Sequence, residues 1–124
     1  MATNPELGTE FATALGHKDF DRVAGLLHPE IRLRGLTPRK SWEAEGPEAA
    51  VGEVLAVWFD ESRQIEEILS IESGDFADRR HVTYSFRGRR PEGPFVVEQR
   101  AYFTERDGQI DWMHVLCSGL RPAG

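Results

Sequence analysis

The feature that most constrains this chain is a pair of long strands of mixed character set around an Asp-Gly step near its end. Phe95-Val-Val-Glu-Gln-Arg-Ala-Tyr-Phe-Thr104 leads through Glu105-Arg-Asp-Gly108 into Gln109-Ile-Asp-Trp-Met-His-Val-Leu-Cys-Ser118. Asp-Gly between such segments is a hairpin signal, because both residues tolerate the positive φ that tight hairpin turns require. Large side chains occupy both faces. One carries Val97, Gln99, Ala101, Phe103, Met113, Val115 and Cys117, and the other Arg100, Tyr102, Trp112, His114 and Leu116. A sheet with apolar groups to hide on each side predicts helices against one face and a second subunit against the other.

Two registers compete for this hairpin. A three-residue loop over 106–108, with Gly108 in a bulge, pairs Phe103 with Asp111, Ala101 with Met113, Gln99 with Val115 and Val97 with Cys117. It keeps most aliphatic residues on one face and is the expected register. A two-residue Asp-Gly turn instead sets Glu98, Arg100 and Tyr102 against the Cys117 face, since a slip of one residue exchanges the faces.

Upstream the apolar period changes from two to about 3.6. Asn4-Pro5-Glu6 supplies a cap, a first-turn proline and an N-terminal acid, and Leu7, Phe11, Ala14 and Leu15 follow at helical spacing until Gly16. A second helix is predicted from Asp19, burying Phe20, Val23, Leu26 and Leu27 and ending at His28-Pro29. Residues 31–34 alternate as a short strand, and residues 36–45 read as a proline-broken arm carrying Trp42. Gly46-Pro47-Glu48 opens a third helix with Val51, Val54, Leu55 and Trp58 inward. Strands are predicted over 64–76, 79–89, 95–105 and 109–120. Helices first and an antiparallel meander afterwards define an α+β fold with its helices on one sheet face.

Composition narrows the class. At 124 residues the chain suits a single domain over 1–124, and 40% apolar residues with three Trp and seven Phe describe a compact soluble protein. Fifteen Lys and Arg against 21 Asp and Glu leave a net charge of -6, which opposes binding to nucleic acid or anionic membranes. No apolar run approaches the length of a membrane span. The lone Cys117 has no partner for an internal disulfide and no secretory leader pattern opens the chain, so the expected address is the cytoplasm.

The step Gly16-His-Lys-Asp-Phe-Asp21 between two amphipathic helices, His28-Pro-Glu-Ile-Arg-Leu33, the Gly46-Pro-Glu-Ala-Ala50 helix and Phe103-Thr-Glu-Arg-Asp-Gly-Gln-Ile110 resemble the nuclear transport factor 2-like, or SnoaL-like, superfamily. The resemblance covers nearly the whole chain. It implies three N-terminal helices packed in the concave face of a curved, mostly antiparallel sheet, a cone with a deep pocket, and dimerisation through the sheet. It does not imply one reaction, because such cones host isomerases, dehydratases, polyketide cyclases, epoxide hydrolases and non-catalytic binders. A ketosteroid-isomerase-like site of this fold uses a tyrosine on the first helix, an aspartate after the first strand as base, and a protonated aspartate on the penultimate strand. Aligned on those positions this chain has Phe11, Gly35 and Ala101, or Arg100 in the other register. Steroid isomerisation by that mechanism is therefore not expected.

The remaining candidates are read from the residues. Glu98 and Arg100, two apart on a strand, resemble the carboxylate–guanidinium pairs of epoxide hydrolases of this fold, yet a surface or dimer ion pair explains them more simply. Neither His17, His28, His81 nor His114 shows metal-ligand spacing, so no metal or other cofactor is expected. Arg79, Arg80, Arg87, Arg89 and Arg90 read as solvated turn residues. The expected pocket lining is Phe11, Leu15, Leu33, Trp42, Trp58, Tyr84, Phe86, Gln99, Phe103, Met113, Val115 and Cys117. Within it Gln99 stands out: an amide among aliphatics must find a partner, whether a ligand oxygen, a water or Tyr84. The reading is a homodimer whose pocket holds a small, mainly apolar molecule, with catalytic residues unassigned. The alternative is a lyase, isomerase or cyclase using Gln99, Tyr84, Cys117 and an acid from Glu43 or Glu45.

Overall fold

Two short helices start the chain. The computed structural model describes residues 4–123. Asn4 Oδ1 accepts the Glu6 amide at 3.0 Å where α1 (Leu7–Gly16) winds up, and Asp19 caps α2 (Phe20–Leu26) by accepting the Arg22 amide at 3.2 Å. Leu7, Phe11, Ala14, Leu15 and Val23 are buried, as their spacing predicts.

The segment that follows differs from expectation. Strand β1 spans Leu27–Thr37 and takes in His28-Pro29, where the sequence predicts a helix end. Proline is tolerated there because pairing with β6 jumps from Leu27↔Ile110 to Arg32↔Trp112, so its missing N–H interrupts no ladder. Residues 36–45 are not an irregular arm either. Pro38-Arg39 forms a turn between paired Thr37 and Lys40, and β2 (Lys40–Glu45) runs back antiparallel along β1. A two-residue turn needs no amide from its first residue, so Pro38 closes the hairpin instead of breaking it. Helix α3 starts after Gly46 as Pro47–Ala49, passes through a π-helical stretch over Ala50–Leu55 and ends as Ala56–Trp58. It buries Ala50, Val54, Leu55 and Trp58.

The meander comprises β3 (Gln64–Phe76), β4 (Arg79–Arg90), β5 (Gly93–Arg106) and β6 (Gln109–Cys117), with a short β7 (Arg121–Pro122) beside β5. The sheet order is β2-β1-β6-β5-β4-β3, and β1 with β6 is its parallel pair. Alternation on β5 buries Phe95, Val97, Gln99, Ala101 and Phe103 on the concave face, where α1 packs on β3 and β4. The fold is the expected α+β cone.

The final hairpin corrects the expected register while preserving its faces. Asp107 and Gly108 both have positive φ, 55° and 79°, and form a two-residue turn between paired Arg106 and Gln109. One extra residue, Asp111, is then inserted between the pairs Glu105↔Ile110 and Thr104↔Trp112. Phe103 therefore faces Met113, Ala101 faces Val115 and Gln99 faces Cys117, two residues from the predicted partners. The bulge is held by the Asp111 carboxylate, which accepts the Thr104 hydroxyl at 2.5 Å and lies 3.4 Å from Arg106 Nε.

Candidate functional site

The rings at the base of the cone leave no room between them. Tyr84 stacks on Phe86 with centroids 5.2 Å apart, Phe11 meets Tyr84 edge-on at 6.2 Å, and Phe59 meets Phe86 at 5.8 Å. Phe11, Leu15, Tyr84, Phe86, Phe103 and Met113 are completely buried, and Leu33 and Val115 nearly so. These eight expected lining residues are core, and the concavity that remains lies toward the open end.

There a cavity of about 350 Å³ brings together Trp42, Trp58, Gln99 and Cys117, the other four expected residues. Its size lies within the ~300–1,000 Å³ range of small-molecule sites. β2 supplies Trp42, whose indole N–H donates to Thr37 Oγ1 at 3.0 Å across the Pro38-Arg39 turn. The last turn of α3 supplies Trp58, edge-on to Trp42 at 6.0 Å and 89°. Trp58 sits where it does because position 35 is glycine: a Cβ there would lie 2.5 Å from the indole Cη2. Thus the lack of a base at Gly35 and the presence of an indole wall are one fact.

Gln99 is the sole buried residue of polar or charged type among the described residues, at 1% exposure. Its Oε1 accepts the Tyr84 hydroxyl at 2.6 Å, while its Nε2 is buried with no partner. Burial first, and Cys117 second, push the Tyr84 hydroxyl well above its ordinary pKa, so it stays protonated and donates. The amide carbonyl is thereby spoken for and the amide N–H₂ is left for something else. Cys117, half-buried, accepts the Gly119 amide at 3.3 Å through Sγ.

Sequence reasoning missed the rim. Arg39, Arg63, Arg90 and Arg121 line the same cavity, with Pro38, Phe59, Gly119 and Leu120. Arg63 is fixed by donating to the Trp58 carbonyl at 2.9 Å, and Lys18 Nζ donates to the Arg63 carbonyl at 2.8 Å. Arg90, read from sequence as a solvated turn residue, turns its side chain toward the cavity and leaves Nε buried without a partner. The four come from four separate parts of the chain, so no local motif announces them. Among the described residues no aspartate, glutamate or histidine lines the cavity. Glu43 and Glu45 are exposed, and Glu43 pairs with Arg34 at 2.6 Å. Glu98 and Arg100 are exposed as well, with Arg100 Nε donating to Thr83 at 3.1 Å.

Among the described residues no three His, Cys, Asp or Glu side chains cluster as metal ligands, and no helix is long and apolar enough to cross a membrane. At the level of sequence no family model matches the chain, and no curated protein does. Solved structures do. A "putative isomerase" from Bacillus subtilis superposes with a TM-score of 0.76 at 14% identity, covering 91% of this chain and 84% of that one. A hypothetical protein with a ketosteroid isomerase-like fold from Catenulispora acidiphila, in complex with trimethylamine, gives 0.71 at 18% over 94% and 88%. The chain has the nuclear transport factor 2-like fold. An LEH-like epoxide hydrolase from M. tuberculosis shares it at 0.64 and 16% identity, over 91% and 80%. Names so different attached to one cone show that the fold carries no particular chemistry, and the site must be argued from its own residues.

Proposed function

We propose that this protein binds a small, largely apolar molecule at the mouth of its cone, using the Gln99 amide to orient a ligand oxygen, without acid–base chemistry of its own. One observation carries the reading: among the described residues the cavity joins a buried amide whose N–H₂ lacks a partner to walls without any carboxylate or imidazole. General acid–base catalysis needs a group that changes protonation near working pH within reach of substrate. Arginine does not, Tyr84 is held protonated, and Cys117, the remaining titratable side chain described in the wall, has no carboxylate or imidazole beside it there to pass a proton to and accepts the Gly119 amide through Sγ. The cyclase- or isomerase-type alternative keeps the support of the neighbours' names, yet its acids at Glu43 and Glu45 line a separate, open hollow of about 660 Å³ with Arg32, Arg34, Glu53 and His114, apart from Gln99 and Cys117.

The test is a thermal-shift screen of apolar ketones, polyketide fragments and sterols on wild type and on the paired variant Tyr84→Phe/Gln99→Leu. Removing both partners of a buried hydrogen bond is close to neutral for stability, so the pair isolates the ligand's contact. Wild type should be stabilised by at least one class, and the paired variant should lose that shift. Equal shifts in both proteins sink the role of Gln99.

The proposal includes a homodimer, as one domain of a cytoplasmic protein, formed through the outer face of the sheet. Tyr102 packs on Phe76 and beside His81, and Trp112 packs on His114 under the Arg79 guanidinium, a continuous aromatic row across β3 to β6. Phe76, Leu36 and Leu116 add 64%, 47% and 49% exposed side chains at its ends. A second copy suits the row because Arg32, Arg34 and Arg100 share it with Glu43 and Glu98, so a two-fold axis can set opposite charges against each other. Trp112→Glu should convert dimer to monomer by analytical ultracentrifugation. A monomeric wild type at micromolar concentration ends this part of the proposal.

A further inference from the structure

We infer that the molecule held at the cone mouth is an anion, a flat apolar body ending in a carboxylate; this rests on the binding reading above. Four buried side-chain nitrogens lack a hydrogen-bond partner among the described residues: Trp58 Nε1, His81 Nδ1, Arg90 Nε and Gln99 Nε2. Three of the four, all but His81, belong to residues lining this one cavity. All three are N–H donors. Trp and Arg have no side-chain acceptor to offer, and the one acceptor on Gln99 is taken by Tyr84. A ligand that satisfies them must bring acceptors and need bring no donor. Buried donors left without an acceptor are costly, and all three belong to side chains that wall this one cavity, so a ligand acceptor reaching them there removes that cost.

Charge points the same way. In a chain of net charge -6, the described residues that line the cavity contribute four guanidinium groups and no acid. Compensation is weak: Glu92 Oε1 stays 3.9 Å from Arg90 Nε, beyond hydrogen-bond length, and Asp60 acts on Arg63 from the exposed surface. Arg63 is already committed to the Trp58 carbonyl, which leaves Arg39, Arg90 and Arg121 as the groups able to turn onto a ligand. Guanidinium binds carboxylate through two parallel N–H donors, a geometry that lysine and neutral amides lack. The body of the ligand follows from the walls. Trp42 and Trp58 pack edge to face against each other, and Lys40 Nζ lies 3.9 Å from the centre of the Trp42 ring, so the pair forms a fixed indole wall that suits an apolar ring system lying along it.

Isothermal titration with 2-naphthoate and with its neutral isostere 2-acetonaphthone tests this. The acid should bind about tenfold more tightly than the ketone, the difference between a charged and a neutral hydrogen bond. That ratio should fall toward one in the Arg39→Gln/Arg90→Gln/Arg121→Gln variant, and also when salt is raised to about 0.5 M. A ketone that binds as well as the acid overturns the anion and leaves the pocket reading intact. Binding of neither probe overturns the anion inference, while the binding reading stands or falls on the thermal-shift screen. A preference for the acid that survives in the triple variant also overturns the inference, because the charge would then be read elsewhere.

Discussion

At the base of the cone Phe11, Tyr84 and Phe86 pack ring on ring with no exposed surface, whereas at the mouth Trp42 and Trp58 meet edge to face beside a cavity of about 350 Å³. Both regions lie on one concave sheet face and draw on the same strands. They differ in what closes them. Over the base lies α1, which packs on β3 and β4 and buries Phe11 and Leu15, while the mouth is bounded by loops, the end of α3 and the turn at Pro38. Aromatic content therefore does not distinguish a core from a site. The polar atoms do: the base has none left over, and the mouth holds three buried donors without partners.

The sharpest way to break the comparison is to empty the base. Phe103→Ala, at a fully buried ring beside Met113, should cost about 3–5 kcal/mol in chemical denaturation. A cost under about 1 kcal/mol would mean that the base, too, is loosely filled. The Tyr84–Gln99 bond, which joins the regions, gives a smaller effect. Tyr84→Phe leaves the Gln99 carbonyl buried and unpaired and should cost about 1–3 kcal/mol, as should Gln99→Leu, which strands the hydroxyl. The paired variant should cost less than the sum of the two, and simple additivity in the cycle would show that the bond does not form in solution.

At the mouth the Arg39→Gln/Arg121→Gln variant removes two exposed side chains and should change stability by less than about 0.5 kcal/mol while weakening ligand binding. The smallest effect lies outside the cone, at His114. Burial first, then Arg34 and Arg79, lower its pKa from 6.5. The folded state thus favours the neutral ring, so His114 contributes stability that is present above pH 6.5 and lost as pH falls through its lower folded value. Melting temperature from pH 7.5 to 5 should fall more steeply for wild type than for His114→Gln. Parallel curves would refute the shift.

How far the sequence foretold these regions depends on the range of the forces involved. The faces of β5 and β6 were legible, because side chains alternate and the aliphatic set could sit on only one side. Their register was not. It is decided by Asp111, an inserted residue held by Thr104 and Arg106, and two-residue turn plus bulge presents the same faces as a three-residue loop. β2 was hidden because Pro38 reads as a breaker until its turn partner Lys40 is seen to pair with Thr37. Trp42, Trp58, Gln99 and Cys117 were legible as site candidates from their chemistry and face. The arginine rim was not, since residues 39, 63, 90 and 121 meet only after the sheet has curled.

The seating of Trp58 over Gly35 also fixes the order in which this cone can change. An acid placed first at position 35 starts from a collision, with its Cβ 2.5 Å from a ring atom of the indole. Removing the indole first opens a void, at a cost of about 3–5 kcal/mol, that a side chain at position 35 can then refill. Two substitutions that look independent along the chain are thus passable in one sequence and blocked in the other. Any descendant of this protein that places a base at that position must pass through a weakened, hollow intermediate, and one with little stability to spare does not make the journey.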